Sequence, residues 1–138
     1  MQFSLTRNDS SDIDFALACL MTRAIHFSEF KEWLYFVIEH AEAPPSYVFE
    51  MLDVDLYVDF KPLNIRGWHS EPELTDGEWD ALEGVSFMRN INSFEDRISR
   101  TQAIAQLQYN PAFFDRVKDF FPFLDLEKVV GPDPDIGW

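Results

Sequence analysis

The sequence is poor in the residues on which many kinds of site depend. Its 138 residues include one cysteine, five glycines and three histidines. The single cysteine, Cys19, cannot form an internal disulfide, and its apolar surroundings, "FALACLM", favour a buried thiol over a reactive nucleophile. With so few glycines, the chain has no glycine-rich phosphate-binding loop and no glycine pattern framing a nucleophilic serine.

Motifs for metal binding and catalysis are also missing. None of the histidines (His26, His40, His69) follows a glutamate by three residues, which is the spacing of helical di-iron sites. The stretch "DPDIG" resembles the start of a calcium loop, but the sequence ends before the glutamate that would close one. We therefore expect no enzymatic activity, no cofactor and no metal site.

Long apolar stretches and a secretion signal are absent as well. The longest strictly apolar runs, at 15–21 and 33–38, are far shorter than the ~20 residues of a membrane-spanning helix. The first residues, "MQFSLTRNDSSDID", lack the charged-then-apolar order of a signal peptide. The sequence predicts a cytoplasmic protein without membrane contact.

Basic residues are scarce. Eleven Lys and Arg stand against 25 Asp and Glu, which gives a formal net charge of −14. Nucleic acid and anionic lipid surfaces are excluded as partners, because their recognition depends on Lys and Arg clusters. A hydrophobic content of 46% with 14 phenylalanines nevertheless predicts a folded protein, and the length fits a single domain over residues 1–138.

Apolar residues recur with helical spacing along most of the chain. This periodicity and the capping residues predict an all-α, mostly helical domain with at least five helices. Ser11 with Asp14 and Thr75 with Glu78 form predicted capping boxes, and Ser93 with Asp96 has the same spacing. The predicted helices cover about 11–25, 29–42, 46–53, 75–91, 93–107 and 111–121.

Two segments between these helices are predicted to have other structures. Residues 54–60 alternate apolar and polar side chains, which is strand periodicity, so a minor strand is possible there. Residues 61–73 contain Pro62, Gly67 and Pro72, and this punctuation predicts a loop.

The negative charge is concentrated in one third of the chain. Residues 39–83 carry twelve acids against Lys61 and Arg66, a net charge of −10, whereas 1–38 and 84–138 carry −2 each. One interpretation is a solvated face with chance clustering. The other is a surface suited to a basic partner protein, because crowded like charges otherwise disfavour folding.

Two tryptophans flank these carboxylates, and aromatic residues are common in protein-binding surfaces. The second interpretation therefore gives a set of candidate partner-binding residues. They are Asp53, Asp55, Asp59, Trp68, Glu71, Glu73, Asp76, Glu78, Trp79, Asp80 and Glu83.

This profile of small size, concentrated acidic charge, flanking tryptophans and no catalytic set resembles the small immunity proteins of bacterial toxin systems, such as contact-dependent growth inhibition. The resemblance lies in the overall profile and carries no family residues over to this chain. It implies a non-enzymatic inhibitor that neutralises a cognate basic toxin domain, often a nuclease. The alternative is an acidic adaptor or accessory subunit of a larger cytoplasmic assembly, which would bind through an exposed apolar patch.

Overall fold

The computed structural model describes residues 2–92 and 94–134. In these ranges the chain forms seven α-helices and one short 3-10 helix, and the only β-type pairing is a single bridge between Thr6 and Asp9. The α-helices are α1 (Ser11–Met21), α2 (Phe27–His40), α3 (Ser46–Leu52), α4 (Pro62–Arg66), α5 (Asp76–Met88), α6 (Arg100–Tyr109) and α7 (Pro111–Phe120). The predicted all-α class with at least five helices is confirmed.

Two compact units make up the chain. Unit 1 comprises the described residues of 2–18, 27–73 and 134, and unit 2 those of 19–26 and 74–133. The single domain predicted over residues 1–138 stays a prediction. Among the described residues, no helix is both long enough and apolar enough to cross a bilayer.

The core of unit 1 is built on the aromatic face of α2. Phe27, Phe30 and Trp33 are buried at helical spacing, as their periodicity predicts. Phe60 packs against two of these rings, with centroid distances of 5.4 Å to Phe27 and 5.5 Å to Phe30. These three aromatic side chains of α2 thus form core packing.

The possible strand at 54–60 is not formed. Residues Tyr57–Asp59 are a 3-10 helix instead. The rings of Tyr57 and Phe60 both contact Phe27, so the inward side chains are three residues apart, which suits a helical turn rather than a strand.

The loop predicted at 61–73 is also partly wrong, because α4 occupies its first half. Pro62 is the first residue of this short helix, a position where its missing N–H costs nothing. Gly67 ends the helix in the left-handed conformation, with φ of 81°.

In unit 2, α5 and α6 pack closely against each other. Gly84 makes this approach possible, because a Cβ at that position would overlap the carbonyl oxygen of Ala103. The helix predicted to begin at 93 begins instead at Arg100, where Ser99 Oγ accepts a hydrogen bond from the Gln102 N–H at 3.1 Å. The cap predicted at Ser93 lies outside the described residues.

A buried arginine holds the later part of unit 2 together. Arg89 is almost fully buried, and its guanidinium donates to the Ala24 carbonyl oxygen at 2.9 Å. Its own carbonyl oxygen accepts hydrogen bonds from the N–H groups of Val130 and Gly131. The chain at Val130 and Gly131 is therefore fixed to the end of α5.

Candidate functional site

The predicted partner-binding residues are divided between the two units. Unit 1 contains Asp53, Asp55, Asp59, Trp68, Glu71 and Glu73, and unit 2 contains Asp76, Glu78, Trp79, Asp80 and Glu83. Their surroundings separate them into exposed carboxylates and side chains with structural contacts.

The segment after α3 presents three carboxylates to solvent. Asp53, Asp55 and Asp59 are all exposed, and none of them forms an ion pair with a described residue. The inward positions of this segment are taken by Tyr57 and Phe60. The segment can therefore offer its charge to another molecule without breaking a contact of its own.

Two further carboxylates of unit 1 follow α4. Glu71 and Glu73 are exposed, and the His69 imidazole lies near Glu71, with Nε2 at 3.6 Å from Oε1. Both of these side chains are largely in water, where such a pair is weak. Glu73 has no ion pair with any described residue.

Trp68, by contrast, has contacts within unit 1. The Arg66 guanidinium lies over its ring at 4.1 Å from the centroid, and Tyr47 meets the ring edge-on at 6.2 Å. The side chain is half-buried. Its location favours a role in fixing the chain after α4 over a role as an exposed anchor for a partner.

Sequence reasoning missed the buried polar network beneath this tryptophan. Arg66 Nη1 donates to Asp14 Oδ1 at 2.8 Å, and the other oxygen of Asp14 accepts hydrogen bonds from Ser10 and Ser70 at 2.7 and 2.6 Å. The capping box predicted for Ser11 and Asp14 is therefore wrong. The only sequence signal was an aspartate facing the apolar side of a predicted helix.

Tyr47 extends the buried polar contacts of unit 1. Its hydroxyl donates to the Leu5 carbonyl oxygen at 2.6 Å, and burial raises the pKa of this phenol well above its usual range. The hydroxyl therefore stays protonated and acts as a structural donor. These groups position the chain that carries Glu71 and Glu73.

In unit 2 the predicted capping box at the start of α5 is confirmed. Thr75 Oγ1 accepts from the Glu78 N–H at 3.1 Å, and Glu78 Oε1 accepts from the Thr75 N–H at 2.9 Å. Glu78 is therefore committed to the helix. Asp76, in the same turn, is exposed and favourably placed at the helix N-terminus.

Asp80 and Glu83 share one arginine. Arg97 Nη2 donates to Asp80 Oδ1 at 2.8 Å, and its Nε lies 3.6 Å from Glu83 Oε1. Burial raises the pKa of Glu83, and the charge of Arg97 offsets part of that effect. The hydrogen bond that Arg97 donates to Asp80 is the main reason that the pKa of Arg97 is raised.

An open depression of about 630 Å³ lies beside these charges in unit 2. It is lined by Met21, Thr22, Asp76, Trp79, Asp80, Glu83 and Arg97. A smaller one of about 180 Å³ shares Met21, Glu83 and Arg97 with it and adds Phe94. Met21 and Phe94 are both exposed large apolar side chains.

In residues 2–92 and 94–134, no three His, Cys, Asp or Glu side chains converge in a way that could hold a metal ion. Cys19 is fully buried, and burial raises the pKa of its thiol far above the physiological range. The exposed carboxylates are suited to binding cationic groups.

No protein-family model, curated protein or solved structure matches the chain.

Proposed function

We propose that this protein is a non-enzymatic immunity protein, which binds and neutralises a basic toxin domain, most simply a nuclease, in the cytoplasm of a bacterium. The observation that carries the proposal is a set of exposed carboxylates without ion pairs to a described Lys or Arg. They are Asp53, Asp55, Asp59, Glu71 and Glu73 in unit 1, and Asp76 in unit 2.

A nuclease supplies the chemistry that such carboxylates fit. Its substrate groove is lined with Lys and Arg side chains that hold phosphates. Carboxylates placed against the groove use the same attraction and exclude the nucleic acid. Repulsion among the clustered acids is a cost in the isolated protein that binding relieves.

Speed of capture is the second advantage of concentrated charge. An immunity protein must bind its toxin before damage occurs, and opposite net charges can raise association rates to about 10⁸–10⁹ M⁻¹s⁻¹ at low salt. The net charge of −10 in residues 39–83 provides the long-range field for this steering.

The contacts of unit 2 rank the predicted residues within this proposal. Glu78 is engaged in a capping box, and Asp80 and Glu83 are engaged with Arg97. These three add to the long-range field, but direct contact with a partner would disrupt their own interactions. The exposed carboxylates of unit 1 are the better candidates for direct contact.

The test is a neutralisation assay with the toxin domain encoded by the gene immediately upstream. Co-expression with this protein should restore growth of cells that produce the toxin domain. In a purified system, the variant Asp53→Asn/Asp55→Asn/Asp59→Asn should fold normally, associate at least tenfold more slowly with the toxin, and lose much of the salt dependence of association. The variant Glu71→Gln/Glu73→Gln should also slow association with the toxin and reduce its salt dependence.

A matched control removes equal charge elsewhere. Glu32→Gln/Asp96→Asn/Asp119→Asn also neutralises three exposed carboxylates without an ion pair among the described residues, but these lie outside 39–83. This variant should associate at close to the wild-type rate. If both triple variants slow association with the toxin equally, the effect depends on net charge alone. That result would contradict a local acidic contact. An upstream gene without a basic toxin domain would contradict the immunity role itself.

The alternative of an adaptor or accessory subunit has one observation in its favour. Met21 and Phe94 are exposed at the same depression of unit 2, which is an apolar contact point that the charge-based proposal does not use. In that case Met21→Ser/Phe94→Ser would abolish assembly with the larger complex, and the acidic triple variant would leave assembly intact.

A further inference from the structure

Three exposed apolar side chains stand among the carboxylates of unit 1. Leu56, Val58 and Leu63 are 40%, 52% and 52% exposed. The exposure of Leu56 and Val58 follows from the packing of Tyr57 and Phe60, whose rings take the inward positions of this segment and contact Phe27. Val58 lies between these two inward positions and Leu56 directly before them, and both are left facing outward.

Exposed carboxylates adjoin two of these apolar residues in the chain. Asp55 directly precedes Leu56, and Asp59 directly follows Val58, whereas Leu63 lies between Pro62 and Asn64. Lys61 is the one basic residue of this segment, and its ammonium group donates to the Val58 carbonyl oxygen at 3.2 Å.

We propose that Leu56 and Val58 are the apolar anchors of the partner contact, and that the partner element is a cationic amphipathic segment. This inference rests on the proposed function and names the kind of toxin element that is recognised. The partner segment carries apolar side chains that cover the anchors, flanked by Lys or Arg that face Asp53, Asp55 and Asp59. Charge complementarity selects this occupant over an uncharged or acidic one.

The two kinds of residue contribute to different rate constants. Exposed charges at a rim change the association rate and its salt dependence, whereas buried apolar anchors change the dissociation rate. Water leaves Leu56 and Val58 on binding, and their loss should speed dissociation about tenfold or more. Loss of the acids should slow association and leave dissociation nearly unchanged.

The probe for this test is a synthetic 14-residue helical peptide of lysine and leucine with all leucines on one face. It should bind the intact protein, and amide chemical shifts in NMR spectra should change mainly in residues 49–63. Leu56→Ser/Val58→Ser should weaken binding at least tenfold through faster dissociation. The matched control, Tyr109→Ser/Val129→Ser, removes two exposed large side chains of unit 2 and should bind as wild type.

Several results would overturn the inference. One is peptide binding that Leu56→Ser/Val58→Ser does not change, and another is equal binding of a peptide with serine in place of every leucine. Self-association of the protein that the same double variant abolishes would assign the anchors to a second copy of the chain. If the toxin is neutralised while the double variant leaves both toxin and peptide binding unchanged, this inference fails and the proposed function stands. If no toxin is neutralised but the peptide changes the amide chemical shifts of residues 49–63, the proposed function fails and the inferred binding surface is supported.

Discussion

Arg66 and Asp14, 52 positions apart in the sequence, form a buried ion pair in unit 1. Their side chains are 4% and 3% exposed, and Nη1 lies 2.8 Å from Oδ1. The other donors of Arg66 reach the carbonyl oxygens of Trp68 and Ser70 at 3.0 and 3.2 Å. The pair thus fastens the chain that follows α4, and with it Glu71 and Glu73, to α1.

Removal of one partner should therefore be costly. Arg66→Met leaves the Asp14 carboxylate buried without its counter-charge, and we expect a loss of about 3–5 kcal/mol in the free energy of unfolding. Urea denaturation followed by tryptophan fluorescence measures this loss. The double variant Asp14→Leu/Arg66→Met removes both charges and should be less destabilised than Arg66→Met alone. Equal stability of Arg66→Met and wild type would show that the pair does not hold this part of unit 1.

Two glycines of α5 should respond in opposite ways to alanine. At Gly84 the new methyl group would overlap the Ala103 carbonyl oxygen and lie 3.0 Å from Leu107 Cβ. We expect Gly84→Ala to destabilise by about 1–3 kcal/mol, because α5 and α6 must move apart. At Gly77 the nearest atom is the flexible Gln106 side chain at 3.4 Å. Gly77→Ala should stabilise by up to about 1 kcal/mol through helix propensity.

Thermal unfolding of both variants measures the two effects. Melting temperatures shifted in the same direction would contradict the close packing of α5 on α6 at Gly84.

Local sequence signals predicted the helices well. Thr75 and Glu78 marked the start of α5 because a capping box involves only residues that are three positions apart. The proline pair at 44–45 separated α2 from α3, and Pro111 opens α7 as predicted. In each case the determining interaction lies within one helical turn.

Long-range contacts account for what the sequence did not predict. Tyr57 and Phe60 lie in a segment with the periodicity of a strand. Only the packing of both rings on Phe27 indicates a 3-10 turn instead. Asp14 was predicted to be a capping residue from its spacing to Ser11. Its ion-pair partner Arg66 is 52 positions away in the sequence, so local spacing could not reveal the pair. Among the candidate site residues, Asp80 and Glu83 read as available acids, and Arg97, outside the acidic stretch, engages both.

The capping box gives a direct test of a structural role for one predicted site residue. Thr75→Ala removes the acceptor for the Glu78 N–H and should lower the free energy of unfolding by about 1 kcal/mol. Glu78→Gln keeps an oxygen that can accept from the Thr75 N–H, so its effect should be only a few tenths of a kcal/mol. Urea denaturation of the two variants measures both changes in the free energy of unfolding. If Glu78→Gln leaves stability intact but strongly impairs partner binding, Glu78 belongs to the contact despite its cap.

Glu83 should make stability depend on pH. Because burial raises its pKa in the folded protein, the folded state holds this proton more strongly than the unfolded chain does. Its favourable contribution is therefore fully present below the pKa of the unfolded glutamate, about 4.3, and is lost as the pH rises through the higher folded value. At pH 7 the charged form is a net cost.

Glu83→Gln should accordingly be as stable as wild type or slightly more stable at pH 7, with a gain below about 1 kcal/mol, and the difference should vanish near pH 4. Asp80→Asn is the matched control, since it keeps an oxygen that can accept from Arg97 but removes the negative charge that strengthens this hydrogen bond, and it should not stabilise the protein at pH 7. Urea denaturation at pH 4, 5.5 and 7 separates the two variants. A clear loss of stability in Glu83→Gln at pH 7 would mean that the ion pair with Arg97 outweighs burial, and Glu83 would then be a structural anchor of α5 rather than a tolerated charge in the acidic stretch.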